Sequence, residues 1–320
     1  MRHAIGIDIG GGSTKIGLVS ETGQIIDRCR IIHGADDHGD QIVQSMAEAV
    51  KGLLSDVPVI GIGIGFPGPI HPGSLSGGIG NVAGLNNYPL AAHLTALLGL
   101  PARLENDATA AALAEARFGA GLGAKRLLMV TAGTGIGVAM IVEGNAMVTS
   151  GGCLGDAGHI IVNGASSLRC RLGCTGCLEA MASAEALDDL ALAEAALHPL
   201  GAIARHAVGA GTSANATTLI HSALAGDATG QAMLAEAGRW IGRAVASWVH
   251  TFAPDVVVIG GGLGAAGGFL LEPLEAEACR CGLPCYMTAL RVAPATMGND
   301  AGIVGAAAQM FTATPVEMFA

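Results

Sequence analysis

Asp8-Ile-Gly-Gly-Gly-Ser-Thr-Lys15 joins two short apolar runs, Ala4–Ile9 and Ile16–Ser20, as strand, turn and strand. The theme returns at Thr131-Ala-Gly-Thr-Gly-Ile-Gly137, set between Leu127–Thr131 and Val138–Glu143. Such an echo within one chain suggests a duplicated nucleotide-binding architecture. Working outward, Ile25–Ile32 reads as a third strand, and Asp40–Leu54 carries apolar residues at helical spacing. Val57–Ile64 and Ala102–Leu104 read as strands, Pro89–Leu98 and Asp107–Phe118 as helices. An Ala-rich helical region over Ser183–Val249 precedes the strand Val256–Ile259, and Asn299–Met310 closes as a helix. Alternating strands and helices place the chain in the α/β class.

The turns carry the first chemistry. Glycines let backbone N–H groups close on phosphate oxygens, and hydroxyls add donors. Gly10, Gly11 and Lys15 are the candidates in the first turn, and Gly133, Thr134 and Gly135 in the second. Asp8, at a strand end, suits Mg²⁺ or its waters, because that ion prefers carboxylate and phosphate oxygens. Neither turn is a G-x-x-x-x-G-K-[ST] loop. Taken singly, each reads equally as an ordinary hairpin; two of them argue for a phosphate clamp. Gly261 and Gly262, after Val256–Ile259, are a third approach point for a nucleotide, or a plain strand-to-helix turn.

Glu105-Asn-Asp-Ala108 opens a helix after a short strand. The free N–H groups and partial positive charge there should keep Asp107 ionised and able to accept a proton. The competing reading is a helix cap, a common use of Asn and Asp. Further on, His159 with Cys170, Cys174 and Cys177 offers four ligands in C-x3-C-x2-C spacing, suited to tetrahedral zinc. Free buried thiols are the alternative. Asp156 and Glu179 bracket this knuckle, and carboxylates facing a ligand accept sugar hydroxyls well. Solvated surface acids are the plainer reading. Cys279, Cys281 and Cys285 have no His nearby and read as structural; Cys29 and Cys153 read as core residues.

Composition narrows the classes. The 320 residues suffice for two domains with cores, and 51% hydrophobic against 13% charged indicates a globular chain. A formal net charge of −10 and 3% aromatics argue against nucleic-acid binding. Mean hydropathy is +0.53, yet Leu127–Val142 and Val256–Leu271 are Gly-rich and too short to span a bilayer. No membrane association is expected. The opening residues run straight into a strand, so a cytoplasmic, reducing setting is expected, with the eight cysteines as thiols or ligands. Gly at 50 residues, about twice the usual share, suggests tight turns and close backbone approach to ligands.

Together these motifs, in this order, resemble the ROK family of the sugar kinase, actin and Hsp70 superfamily. The resemblance spans nearly the whole chain. It rests on Asp8–Lys15, Gly65-Phe-Pro-Gly-Pro-Ile70, Glu105-Asn-Asp-Ala-Thr-Ala-Ala-Ala112, Gly133–Gly137, Gly155-Asp-Ala-Gly-His159, Gly176-Cys-Leu-Glu179, Pro254–Gly262 and Asn299–Ala306. It implies two ribonuclease-H-like, actin-like ATPase domains around a cleft. The first would cover 1–118 with a returning helix at about 299–320, and the second 119–298 with the Cys/His knuckle. It implies ATP-dependent phosphorylation of a hexose or N-acetylhexosamine hydroxyl, with Mg²⁺ and a structural Zn²⁺. Asp107 would be the general base, and Asn81, Asn106, Asp156, His159 and Glu179 would hold the sugar. His159 would also bind zinc through its other ring nitrogen. Asp8, Gly10, Gly11, Lys15, Gly133, Thr134, Gly135, Gly261 and Gly262 would hold the nucleotide. A homodimer is expected, since ROK kinases often are dimers.

Two positions depart from the family pattern. Its middle thiol belongs at position 172, where this chain has Leu172, with Cys174 two residues later. Asp156 stands where a Glu is usual. These departures keep a second function class in play: a catalytically weak sugar sensor without a DNA-binding domain. The extended first motif also leaves polyphosphate open as an alternative donor.

Overall fold

The computed structural model describes residues 1–34, 37–54, 57–68, 70, 82–147 and 156–311. The α/β expectation holds: two five-stranded sheets are each flanked by helices. In chain order the strands are β1 His3–Ile9, β2 Ser13–Ser20, β3 Ile25–Ile32, β4 Val59–Phe66, β5 Ala102–Asn106, β6 Arg126–Ala132, β7 Ile136–Val142, β8 Asn145–Ala146, β9 Val256–Gly260 and β10 Arg291–Pro294. The helices are α1 Gly39–Leu53, α2 Leu90–Leu98, α3 Asp107–Phe118, α4 Leu178–Ala182, α5 Ala184–Leu197, α6 Ala202–Gly209, α7 Ala216–Leu224, α8 Ala228–Phe252, α9 Gly268–Cys281, α10 Pro284–Met287 and α11 Ala301–Phe311. The sheet orders are β3-β2-β1-β4-β5 and β10-β9-β6-β7-β8. Among the described residues, no helix is long and apolar enough to cross a membrane.

The chain divides into two compact units: Met1–Lys125 with Ala139–Gly155 and Thr296–Ala320, and Arg126–Val138 with Asp156–Ala295. In the first unit the period of two along each strand separates two unlike faces. Ile5, Ile7, Ile9, Ile16, Leu18, Ile62, Ile64 and Phe66 form a fully buried aliphatic layer together with α1 and α2 residues such as Val43, Met46 and Leu94. The other face carries Ala4, Gly6, Gly17, Val19 and Gly63, and α11 packs on it. A Cβ at Gly63 would lie 1.7 Å from Ala306 O, one at Gly6 2.0 Å from Ile303 O, and one at Gly305 1.7 Å from Ala110 O. Some of the glycines therefore serve close packing of α11, α3 and the sheet, a use separate from turns and ligand approach. Gly63→Ala is expected to destabilise the first unit by about 3 kcal/mol, the upper end for overpacking. An unchanged denaturant midpoint would show that α11 can simply step back.

The approach to α11 is held by one carboxylate. Glu115 of α3 is fully buried. It accepts hydrogen bonds from Thr296 N at 2.8 Å, Met297 N at 2.7 Å, Ala120 N at 2.8 Å and Thr296 Oγ1 at 3.1 Å. A buried charge with this many donors is well compensated.

Candidate active site

In the first unit, the C-terminal ends of β1, β4 and β5 and the start of α3 gather the acids. Asp8 accepts from Lys15 Nζ at 3.4 Å, and the same ammonium donates to Asn299 O at 3.4 Å. The turn between β1 and β2 is closed by Gly10 N donating to Ser13 O at 2.9 Å. Gly11 and Gly12 are exposed, and a Cβ at Gly12 would meet nothing, so the turn offers open backbone.

Asn106 caps α3, its Oδ1 accepting from Ala108 N at 3.0 Å and Thr109 N at 3.2 Å. Its amide Nδ2 donates to Gly68 O at 3.1 Å. The same side chain also hydrogen-bonds the Asp107 carboxylate and favours its ionised form. Asp107 is the first residue of α3. Burial pushes its carboxyl up to about 6, helped by the negative charge of Asp8 and opposed by the Ala108 N–H. The helix N-terminus alone predicts an ionised Asp107; desolvation moves it the other way, because burial disfavours charge more than one N–H restores. At neutral pH it still ionises, with the basicity of an efficient proton acceptor. Glu105, which the motif reading passes over as a candidate, is half-buried, and its desolvation raises it to about 7. Strand alternation gives its position away: Asp8 pairs with Gly65, and Gly65 with Glu105, on one face.

In the second unit, β6 and β9 are parallel, with Thr131 opposite Gly260. The turns that follow them therefore lie together. Gly261 has φ +83°, and a Cβ there would sit 2.3 Å from Ala132 O. Thr134 is exposed, and Cβ atoms at Gly133 and Gly262 would meet nothing. Outside the C-terminal ends of parallel strands is where α/β sheets take ligands. Gly135 has a further duty: its Cβ would fall 2.3 Å from Glu179 Oε2, which accepts from Ile136 N at 3.0 Å. A glycine of the second turn thus makes room for the carboxylate.

His159 ends the short turn Ala157–His159 and faces two ways. Its Nδ1 lies 3.2 Å from Cys174 Sγ, 3.6 Å from Cys170 Sγ and 3.9 Å from Cys177 Sγ. Its Nε2 lies 3.9 Å from Glu179 Oε1. All four ligand atoms fall within 4.8 Å of one another, with Cys170 and Cys174 Sγ 3.0 Å apart. Zinc bonds of about 2.3 Å to sulfur and 2.0 Å to nitrogen place tetrahedral ligands roughly 3.5–3.8 Å apart. The donors fit that cage with small adjustments.

The displaced thiol has a local cause. Arg169 bridges Thr175, Cys170 N donates to Cys174 O at 3.1 Å, and Gly173 N donates to Cys170 O at 2.9 Å. This tight hairpin, with Gly173 at φ +88°, brings Cys174 opposite Cys170 and turns Leu172 outward, 54% exposed. Cys177 is buried, and its sulfur accepts from Ala180 N at 3.4 Å to cap α4, placing Glu179 in the first turn of that helix. Burial opposes ionisation of Cys170, yet hydrogen bonds from Cys174 and the local backbone bring it down to about 7. The hydrogen bond to Cys170 raises Cys174 to about 12.

Asp156 is exposed; its carbonyl accepts from His159 N at 2.8 Å, and its carboxylate makes no cap bond. Asn81 and Cys153 lie outside the described residues. Cys29 packs against the first unit's aliphatic core. Cys279, Cys281 and Cys285 are exposed on or beside α9 and α10, so a structural reading by core packing does not suit them.

A family model described as the ROK family matches residues 4–312. The chain is 33% identical over 315 residues to a glucokinase of Halalkalibacterium halodurans, covering 95% of this chain and 93% of that protein. It is 31% identical over 269 residues to an N-acetylmannosamine kinase of Escherichia coli, covering 83% and 85%. Among solved structures, a ROK family glucokinase from Streptomyces griseus in complex with glucose and AMPPNP matches with a TM-score of 0.81 at 30% identity, covering 95% and 98%.

Proposed function

The chain belongs to the ROK family, and from that premise we propose that it is an ATP-dependent kinase acting on a hydroxyl of a hexose or N-acetylhexosamine. One observation carries the reading most directly. Asp107, half-buried and raised to about 6, stands in the field of Asp8 on the same unit as an open Gly-rich turn. That is a proton acceptor beside a place for phosphate.

In the reaction, a sugar hydroxyl attacks the γ-phosphorus of ATP. The new O–P bond forms as the bond to the β-phosphate oxygen breaks, and ADP leaves. Asp107 orients the hydroxyl and takes its proton, mostly late, since phosphoryl transfer depends more on positioning than on covalent help. Asp8 would hold Mg²⁺ or its waters; the ion neutralises phosphate charge when bound. The first turn with Lys15, and Gly133, Thr134, Gly135, Gly261 and Gly262, would cradle the phosphates and the nucleoside. Asn106, Asp156, Glu179 and Nε2 of His159 would hold sugar hydroxyls. Zn²⁺ on His159 Nδ1, Cys170, Cys174 and Cys177 would fix the imidazole so that Nε2 faces the sugar. A homodimer, readable by sedimentation, belongs to the same proposal.

An ADP-release screen over hexoses and N-acetylhexosamines with MgATP tests the activity. Stimulation by at least one sugar is expected; none at all would sink the reading. Glu179→Gln should raise the sugar KM about tenfold, the scale of one hydrogen bond to a charged group. Its effect on the KM for ATP should be small.

A further inference from the structure

At one level of the first sheet, Glu105, Gly65, Asp8, Lys15 and Arg30 stand in register across β5, β4, β1, β2 and β3. The row passes from a half-buried acid, through Asp8, to two cations at the sheet edge. Lys15 and Arg30 face each other directly on antiparallel strands, where like charges repel. Arg28, one pleat along on β3, adds a third cation to this face. Three neighbouring cations are out of keeping with a chain of 16 basic and 26 acidic residues.

Their partners differ. Lys15 is offset by Asp8 at 3.4 Å, and Arg28 by Asp300 at 2.9 Å. Arg30 has no carboxylate partner among the described residues. Its guanidinium donates one hydrogen bond, 2.8 Å, to Ser13 Oγ. Ser13 is the residue whose carbonyl closes the Gly10–Ser13 turn. The end of β3 is tied to the same turn by His33 N donating to Gly12 O at 3.4 Å. Arg30 is thus anchored beside the open backbone of the first turn, with the rest of its planar fork free. Guanidinium forks suit phosphate oxygens in two-point contacts.

We propose that Arg30, oriented by Ser13, is a phosphate-contacting residue of the first turn and takes a terminal phosphate of a phosphoanhydride donor. The inference rests on the kinase reading above and adds to it a residue that sets donor affinity. A donor phosphate beside the first turn would offset the repelling pair at this edge.

The test uses the full chain with Arg30→Gln, Arg30→Lys and, as a control, Arg28→Gln. Inorganic tripolyphosphate and MgADP are titrated by calorimetry without sugar, and KM for MgATP and for the sugar are measured separately. Arg30→Gln should weaken both calorimetric affinities and raise the ATP KM about tenfold. The sugar KM and the unfolding midpoint should stay put. Arg30→Lys should recover part of the loss, and Arg28→Gln should lose little. Unchanged phosphoanhydride affinity in Arg30→Gln would overturn the proposal, as would an equal shift in both KM values with a lowered midpoint. A wild-type chain that binds neither probe would overturn it too. If the probes bind but no sugar is turned over, the kinase reading fails, and the calorimetric arm still decides Arg30.

Discussion

Asp107→Asn is expected to lower kcat by about 10²–10⁴-fold, the usual contribution of a positioned base. Asparagine keeps the size and the acceptor for Ala108 N, which lies 2.8 Å from Asp107 Oδ1. It cannot take a proton. Both KM values should change little, which separates this variant from Glu179→Gln. In the wild type, kcat should fall as pH drops through about 6, where Asp107 becomes protonated. A variant that retains a tenth of wild-type kcat would remove Asp107 from the role.

The same substitution should stabilise the protein, and the sign follows from linkage. The folded-state carboxyl lies at about 6 against an ordinary 3.8, raised by burial and then by Asp8. Between these values the native state holds the proton more tightly than the unfolded chain, so stability falls as pH rises. Above about 6 the deficit is complete, and a shift of roughly two units corresponds to about 3 kcal/mol at most. Asp107→Asn should therefore melt higher than wild type at pH 8, with the two converging near pH 4. Melting curves that stay parallel across this range would mean the carboxyl is not desolvated.

The second large effect concerns the knuckle. Purified protein is expected to carry about one zinc per chain, and Cys174→Ser to lose it, since each thiolate is one of four ligands. Structural zinc contributes folding free energy directly. The variant, or wild type treated with a chelator, should lose about 4 kcal/mol or more from the second unit, the range for removal of a bound metal. Cys279→Ser and Cys285→Ser should keep full metal content. Full zinc retention in Cys174→Ser, measured by plasma mass spectrometry, would show that this thiol is not a ligand. The sugar KM should rise in the same variant, because zinc on Nδ1 holds the ring whose Nε2 faces Glu179.

How far the residues announced these features varies with the physics behind each. β3 emerges at Ile25–Ile32 from sequence pattern alone, and α3 at Asp107–Phe118, because a cap and clean flanks define them. β10 does not emerge from the sequence: four residues at a sheet edge leave little periodicity to read. α9 is not legible either: its start at Gly268 falls inside the Gly-rich run Val256–Leu271, and Pro273 inside it breaks the helical pattern. Nothing in the spacing of Cys170, Leu172 and Cys174 says which side chain turns inward. That is decided by the Cys170–Gly173 turn and the left-handed Gly173. Asn106 shows the converse, since its place just before α3 announces the cap that its Oδ1 makes.

The glycine-lined face under α11 has a bearing on how the chain is made. Lys15 and the Asn299 carbonyl that it meets are 284 positions apart. The ribosome must therefore make every other strand and helix described above before β1, β2 and β4 can be covered on that side. The second unit, drawn from Arg126–Val138 and Asp156–Ala295, has all its parts earlier. Translation at about 5–20 residues per second gives it time to form while the first unit still waits. The usual N-to-C order of domain folding is expected to invert, which protease protection of stalled nascent chains would check. A nascent chain stalled before α11 would hold its N-terminal sheet open, with Ala4, Val19 and Gly63 bare, and would call on chaperones where a release of a few more residues would close it.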